Sequence, residues 1–279
     1  MEAIFCGLTT LDVTQFVSEV PRANEKVVSR ATELDVGGPA ANAARISHAL
    51  GVPTQLVTLL GNSPAAQLAT DALRSEGLEV IDLARDDQFP VSTVLVDDAG
   101  ARAVASRNNP NRTQRLPHTD LLQGARVLEV DGHTLSAQIL LARQAKTNGI
   151  PVVLDGGSYK PGLEELLPHV SHALVSADFA VPGESDVFAA LAKFHIPWIA
   201  QSHGADPVQV RSATESYEIQ VPDEPVVDTL GAGDVLHGAF TAALAHGKNE
   251  KLALKYAVRI AALSVANRGI LGFLTHLAR

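Results

Sequence analysis

Short apolar runs alternate with helix-spaced segments along most of this chain, and that alternation constrains the fold more than any other feature. The segments "ARVLEVDG" (125–132), "SAQILLARQAKTNG" (136–149) and "IPVVLDGG" (150–157) read as strand, helix and strand. The pattern repeats in "HALVSA" (172–177), "ESDVFAALAKFH" (184–195) and "PWIAQSHG" (197–204). Earlier, "AIFCGL" (3–8) and "TQLVTLLG" (54–61) read as strands, "AANAARISHAL" (40–50) and "AAQLATDALRSEG" (65–77) as helices. Two helices, roughly 232–246 and 250–267, close the chain. Such alternation predicts an α/β fold, a mostly parallel sheet with helices on both faces and right-handed crossovers.

Two stretches break the rhythm. Residues 13–35 hold "VTQFVSEV" and "KVVSRATEL" with no helix between them, and residues 91–107 read as a hairpin around Asp98-Ala99-Gly100. Strands without helices do not fit a helix-covered parallel sheet. They predict a small β-strand lid, or alternatively extra edge strands. No linker divides the chain, so residues 1–279 are expected to form one folded unit with the lid inserted in it.

The bulk numbers set further bounds. At 279 residues and 46% hydrophobic content the chain can bury one large core. A net charge of -9 argues against nucleic acid or an anionic membrane surface as partner. It leaves room for an anionic substrate, because backbone dipoles bind phosphate locally. The lone Cys6 makes no disulfide within the chain, which fits a cytoplasmic protein. No uninterrupted apolar run approaches the roughly 18 residues of a membrane span.

The chemistry concentrates in "DTLGAGDVLHGAF" (228–240). Gly231, Ala232 and Gly233 leave their amides open at what reads as a helix start, and Asp234 falls in the first turn. Bare amides at a helix N-terminus bind anions, and the helix dipole favours an ionised carboxylate there. Together they suit phosphoryl transfer to an alcohol, with Asp234 as general base. The same residues are compatible with an ordinary capped helix start. Glycines 231, 233 and 238 do not fit G-x-G-x-x-G, and no Walker A loop occurs. His169 and His172 lack acidic or cysteine partners in the sequence for a zinc site, and His237 reads as a helix-face residue.

With "DVGGPAANAARISHALG" (35–51), this motif resembles the ribokinase-like, or PfkB, carbohydrate kinase family along essentially the whole chain. The resemblance implies a Rossmann-like αβα sandwich with a lid, and a kinase using ATP and Mg²⁺. It makes Asp234 the base, and the amides of Gly231, Ala232, Gly233 and Asp234 the anion hole. Asp12, Gly37, Gly38, Asn42, Arg107 and Asn108 would bind the sugar. Ser176, Ser202, Gly204 and Thr229 would lie along the nucleotide. The implied substrate is a ketose or pentose, fructose- or ribose-like, free or already modified. A homodimer through the lid is also expected. Asp12 read alone is equally a turn cap, and Arg107 a solvated hairpin end.

Two segments depart from the family. Ser176 and Phe179 stand where an Asn-x-x-Glu motif is expected, which leaves Asp178 or Glu184 as the candidate metal carboxylates. Pro207 replaces the second glycine of a turn that begins at Gly204. These departures keep open a non-catalytic sensor of sugar or nucleotide on a degenerate kinase fold; a nucleoside kinase on the same fold is a further alternative.

Overall fold

The computed structural model describes residues 2–99, 101–107, 112–118 and 120–277. The first half contains β1 (Glu2–Cys6), β2 (Thr10–Phe16), β3 (Ala31–Gly37), α1 (Pro39–Ala49), β4 (Thr54–Thr58), α2 (Pro64–Ser75), β5 (Glu79–Asp82), β6 (Val91–Val96), β7 (Arg102–Ser106) and β8 (Ala125–Val130). Then come α3 (Leu135–Thr147), β9 (Val152–Gly156), α4 (Leu163–Leu166) running into a 3-10 turn, β10 (His172–Ser176), α5 (Val187–Ala192) and β11 (Trp198–His203). The chain continues through β12 (Asp206–Ser212), β13 (Ser216–Ile219), α6 (Ala232–Ala245), α7 (Glu250–Ser264) and α8 (Gly269–Leu277).

Nine strands form the central sheet in the order β13-β12-β11-β10-β9-β8-β1-β4-β5. From β11 to β5 the pairing is parallel, and β12 and β13 add an antiparallel edge. The parallel strands are apolar on both faces, as a sheet covered twice requires. Ala3, Phe5, Val127, Val153 and Leu174 face α1, α2, α6, α7 and α8. Ile4, Cys6, Leu128, Val130, Leu154 and Val175 face α3, α4 and α5. Trp198 stacks on Phe240 of α6 at 5.1 Å between ring centroids.

The chain leaves β1 toward β4 on one side and later reaches β8 on the other, so the strand order switches between β1 and β8. In open α/β sheets ligands bind at the carboxyl ends of strands beside such a switch.

The remaining four strands form a separate sheet, β3-β2-β6-β7. The expected lid strands exist, with shifted bounds. β2 and β3 pair from Thr10↔Gly37 to Phe16↔Ala31, so both reach closer to the central sheet than the apolar pattern suggested. The stretch between them carries Pro21, which has no N–H to offer a ladder. The expected closing helix 250–267 ends at Ser264, and α8 follows as an additional helix. β5, β12 and β13 were also outside the sequence expectation; β5 and β13 are four-residue edge strands, which carry little periodic signal, and β12 lies inside that margin with Pro207 at its start.

α1 and α6 cross closely. α1 is rich in alanine, and a Cβ at Gly238 of α6 would overlap the Ala43 carbonyl. Arg45, 2% exposed, fastens the other flank of α1. It donates Nε and Nη2 to Glu76 at 2.8 and 2.7 Å and Nη1 to the Val36 carbonyl of β3 at 2.9 Å. This bidentate pair therefore joins α1, the end of α2 and the root of the lid.

Candidate active site

The start of α1, the start of α6 and the lid strands enclose one cleft of about 600 Å³. Its lining includes Asp12, Gly38, Asn42, Gly231 and Asp234. Gly38 (φ 96°) precedes Pro39 at the first position of α1, where a proline loses nothing by lacking its N–H.

Gly231 (φ 77°) caps α6 in the left-handed region, which glycine enters without a Cβ penalty. A Cβ there would also lie 2.6 Å from Ile270 Cδ1. Asp228 clamps this turn by accepting from Leu230 N at 2.9 Å and from Gly269 N, at the start of α8, at 3.1 Å. Ala232 N donates to the Thr229 carbonyl at 3.3 Å. The amides of Gly231, Gly233 and Asp234 have no acceptor among the described residues. Three free N–H groups at the positive end of a 14-residue helix are an arrangement suited to hold an anion.

Asp234 sits half-buried in the first turn of α6 and accepts from Asn42 Nδ2 at 2.7 Å. Burial, followed by the Asp155 charge, pushes its carboxyl up to about 7. The Asn42 hydrogen bond and His237 work in the opposite direction, and Asp131 adds to the rise. The group is thus placed where it exchanges a proton readily near neutral pH.

His237 lies one turn further along α6, buried against the sheet. Its Nδ1 is 2.8 Å from the Gly233 carbonyl, and its Nε2 is 2.9 Å from the Leu174 carbonyl of β10. Nε2 is also 3.6 Å from Asp155 Oδ1. The ring lies packed between a carbonyl of the first turn of α6 and a carbonyl of the sheet, a more enclosed place than a helix-face histidine has.

Sequence reasoning passed over Asp131 and Asp155. Both end or follow parallel strands, in "VDG" and "LDGG", and this repeated strand–Asp–Gly ending was the available signal. Asp131 accepts from Leu8 N at 2.7 Å, His133 N at 2.9 Å and Gln138 Nε2 at 2.8 Å.

The other expected residues are placed as follows. Asp12 faces the cleft and accepts from Thr10 Oγ1 at 2.9 Å. Burial, with Asp35 nearby, raises its carboxyl above the ordinary value against hydrogen bonds from Thr10 and Ser92. Gly37 lies directly behind it, since a Cβ there would overlap Asp12 Oδ2. Arg107 is exposed, donates to Gln88 Oε1 at 3.2 Å and is not among the residues that line the cleft. Asn108 lies outside the described residues.

Ser176 and Ser202 sit in register at the carboxyl ends of β10 and β11, and Gly204 (φ 65°) turns the chain into β12. Ser176 Oγ donates to the Gly157 carbonyl at 2.8 Å and accepts from Asp178 N at 3.1 Å. Phe179 is in the core, edge-on to Tyr159. Glu184 is paired with Lys193 at 2.5 Å. Among the described residues no group of three His, Cys, Asp or Glu is placed to hold a metal ion. Mg²⁺ sites in kinases need fewer protein ligands than that, because water and phosphate complete the shell.

A family model for the pfkB family carbohydrate kinases matches residues 2–274. The chain belongs to the pfkB family of carbohydrate kinases. An ATP-dependent ribose-1-phosphate kinase of Halopiger xanaduensis is 28% identical, over 96% of this chain and 93% of its own. A ribokinase of Bacillus subtilis is 25% identical, over 95% and 93%. The solved structure of Arabidopsis thaliana ribokinase complexed with ribose and ATP superposes with a TM-score of 0.78 at 21% identity, covering 100% of this chain and 98% of that one. Among the described residues no single helix is long and apolar enough to cross a membrane.

Proposed function

We propose that this protein transfers the γ-phosphoryl group of ATP to a hydroxyl of a ribose- or fructose-like sugar. The observation that carries the reading is the pairing of a proton-exchanging carboxylate, Asp234, with three free amides on one helix turn at the floor of a lidded cleft. Asp234 takes the proton of the acceptor hydroxyl. The hydroxyl oxygen then bonds to phosphorus as the bond to the ADP leaving group breaks, and the amides of Gly231, Gly233 and Asp234 stabilise the charge on the phosphoryl oxygens.

Asp12, Gly38 and Asn42 orient the sugar, and the lid strands exclude water. Ser176, Ser202, Gly204 and Thr229 are assigned to the nucleotide side. When bound, Mg²⁺ supplies neutralisation of phosphate charge, with Asp178 and Glu184 as its proposed carboxylates. The chain acts as one unit, residues 1–279, in a cytoplasmic setting. A dimer through the lid is proposed on the exposed Leu34 of that sheet. A monomeric mass in light scattering removes the dimer.

The test is ADP release with MgATP against a panel of free sugars and sugar phosphates. Ribose 1-phosphate belongs on it because the Halopiger relative is named for that substrate. ADP release that depends on one sugar and disappears in Asp234→Asn supports the reading. Thermal stabilisation by sugar or ATP without ADP release on any acceptor overturns it in favour of a binding protein.

A further inference from the structure

A second cavity, of about 920 Å³, opens at the carboxyl ends of β1, β4, β8 and β9. It adjoins the switch between β1 and β8, lined by Gly7–Thr9 after the first strand and Gly132–Ser136 after the other. In a chain of net charge -9, its described lining contains no aspartate or glutamate side chain. It contains instead Arg112, Lys160 and His133, with the hydroxyls of threonines and serines around them.

The three basic groups are unequal. Arg112 is committed, with Nε to Asp86 at 2.8 Å and its Nη atoms to the carbonyls of Leu59, Leu60 and Asp86. Lys160 Nζ donates to the carbonyls of Asp131 at 3.1 Å and Ser158 at 3.2 Å. An ammonium has a third donor, and Lys160 has no carboxylate partner among the described residues. The His133 ring makes no hydrogen bond among the described residues.

One wall of the cavity is the start of α3, a 13-residue helix with no side-chain cap and no acidic residue in its first turn. The Thr134 hydroxyl faces Cys6 Sγ at 3.6 Å instead of capping. The amides of Leu135 and Ser136 accordingly have no acceptor among the described residues. A free ammonium donor, an unpartnered imidazole and open helix amides share a cavity whose lining has no carboxylate, the nearby Asp131 carboxylate being held behind it by Leu8 N, His133 N and Gln138 Nε2, and such donors suit an anion.

We propose that this cavity is a phosphate-binding subsite centred on Lys160, His133 and the first turn of α3. The phosphate is either that of a sugar already phosphorylated elsewhere or a free phosphate ion. The cavity lies beside the active-site cleft. Leu8, which lines it, packs its carbonyl against Gly38 of the cleft and donates its N–H to Asp131. The sugar-phosphate assignment rests on the kinase reading above, whereas phosphate binding itself does not.

Two measurements test it on the full-length protein. Calorimetric titration with inorganic phosphate is expected to show saturable binding that Lys160→Met weakens about tenfold, the worth of one charge-assisted hydrogen bond. Saturable binding unchanged in Lys160→Met, or no binding with the protein shown folded by circular dichroism, overturns the subsite. The second measurement is the ratio of kcat/KM for ribose 1-phosphate to that for ribose. A fall of about tenfold in Lys160→Met, carried by KM, identifies the phosphate as the substrate's own. An unmoved ratio beside weakened phosphate binding identifies a free ion and removes the sugar-phosphate assignment. If no sugar supports ADP release, the kinase reading fails while the phosphate titration still decides the subsite.

Discussion

Asn42 Nδ2 lies 2.7 Å from Asp234 Oδ2, and this one hydrogen bond joins the first turns of two helices 192 residues apart in the chain. The donor orients the carboxylate and stabilises its charged form. Asn42→Ala is therefore expected to raise the apparent pKa of the base. The acid limb of kcat/KM would move to higher pH, and activity at pH 7 would fall more than activity at pH 9. A limb left in place would show that Asn42 contributes packing alone.

Removing the proposed base is expected to have a larger effect. Asp234→Asn keeps the shape and leaves the helix turn intact, but it accepts no proton. A positioned general base contributes about 100- to 10,000-fold, so a loss of that size in kcat is expected in the ADP-release assay. A rate within a fewfold of wild type would detach Asp234 from the chemistry.

The pH profile follows from the raised carboxyl. A base must be ionised, so kcat/KM is expected to rise with pH and level off above about 7. Asp155 is the neighbouring charge that most raises Asp234, after burial. Asp155→Asn should draw the limb toward lower pH, in the opposite sense to Asn42→Ala. Limbs that shift in the same direction in both variants would contradict the electrostatic account.

Stability carries its own pH signature. Glu129 is buried, accepts from Thr241 Oγ1 at 2.7 Å and leaves Oε1 without a partner. Burial, then Asp155, holds its carboxyl well above the ordinary glutamate value of 4.5. The folded state thus binds this proton more tightly than the unfolded chain. Its contribution is full below that ordinary value and is lost as pH rises toward the folded value. Glu129→Gln should flatten the decline of melting temperature with rising pH.

Helix packing offers a test that is independent of ionisation. A Cβ at Gly238 would meet the backbone carbonyl of Ala43, which cannot turn aside. Gly238→Ala should force α1 and α6 apart and cost about 1–3 kcal/mol in chemical denaturation. Because those helices carry Asn42 and Asp234, kcat should fall as well. A neutral substitution would mean that the crossing is looser than the contact implies.

Much of this protein can be read from its residues because the signals are local. Apolar period and glycine spacing report backbone needs within a few residues, so the alternating elements and the α6 start were legible, whereas Asp12, Gly38 and Asn42 were named only by the family resemblance. The four-residue edge strands β5 and β13 were not, because strands that short leave no distinctive period, and the inner strand β12 was also missed. Arg107, which the resemblance implies for the sugar and which read alone is a solvated hairpin end, bonds Gln88 on the surface. A position in sequence says where a side chain starts, and rotamer and neighbours decide where it ends.

The sequence by itself determined the α/β class, the small second sheet and the glycine-bounded helix start at 228–240, since each depends on backbone geometry that nearby residues dictate. Only the tertiary structure decided what surrounds Asp234: Asn42 from α1, Asp155 and Asp131 from the sheet, and His237 packed between Gly233 and Leu174. It also decided that Lys160, His133 and the start of α3 line one cavity whose lining has no carboxylate. Burial and through-space charge set a carboxyl's proton affinity, and both arise only when distant segments pack together.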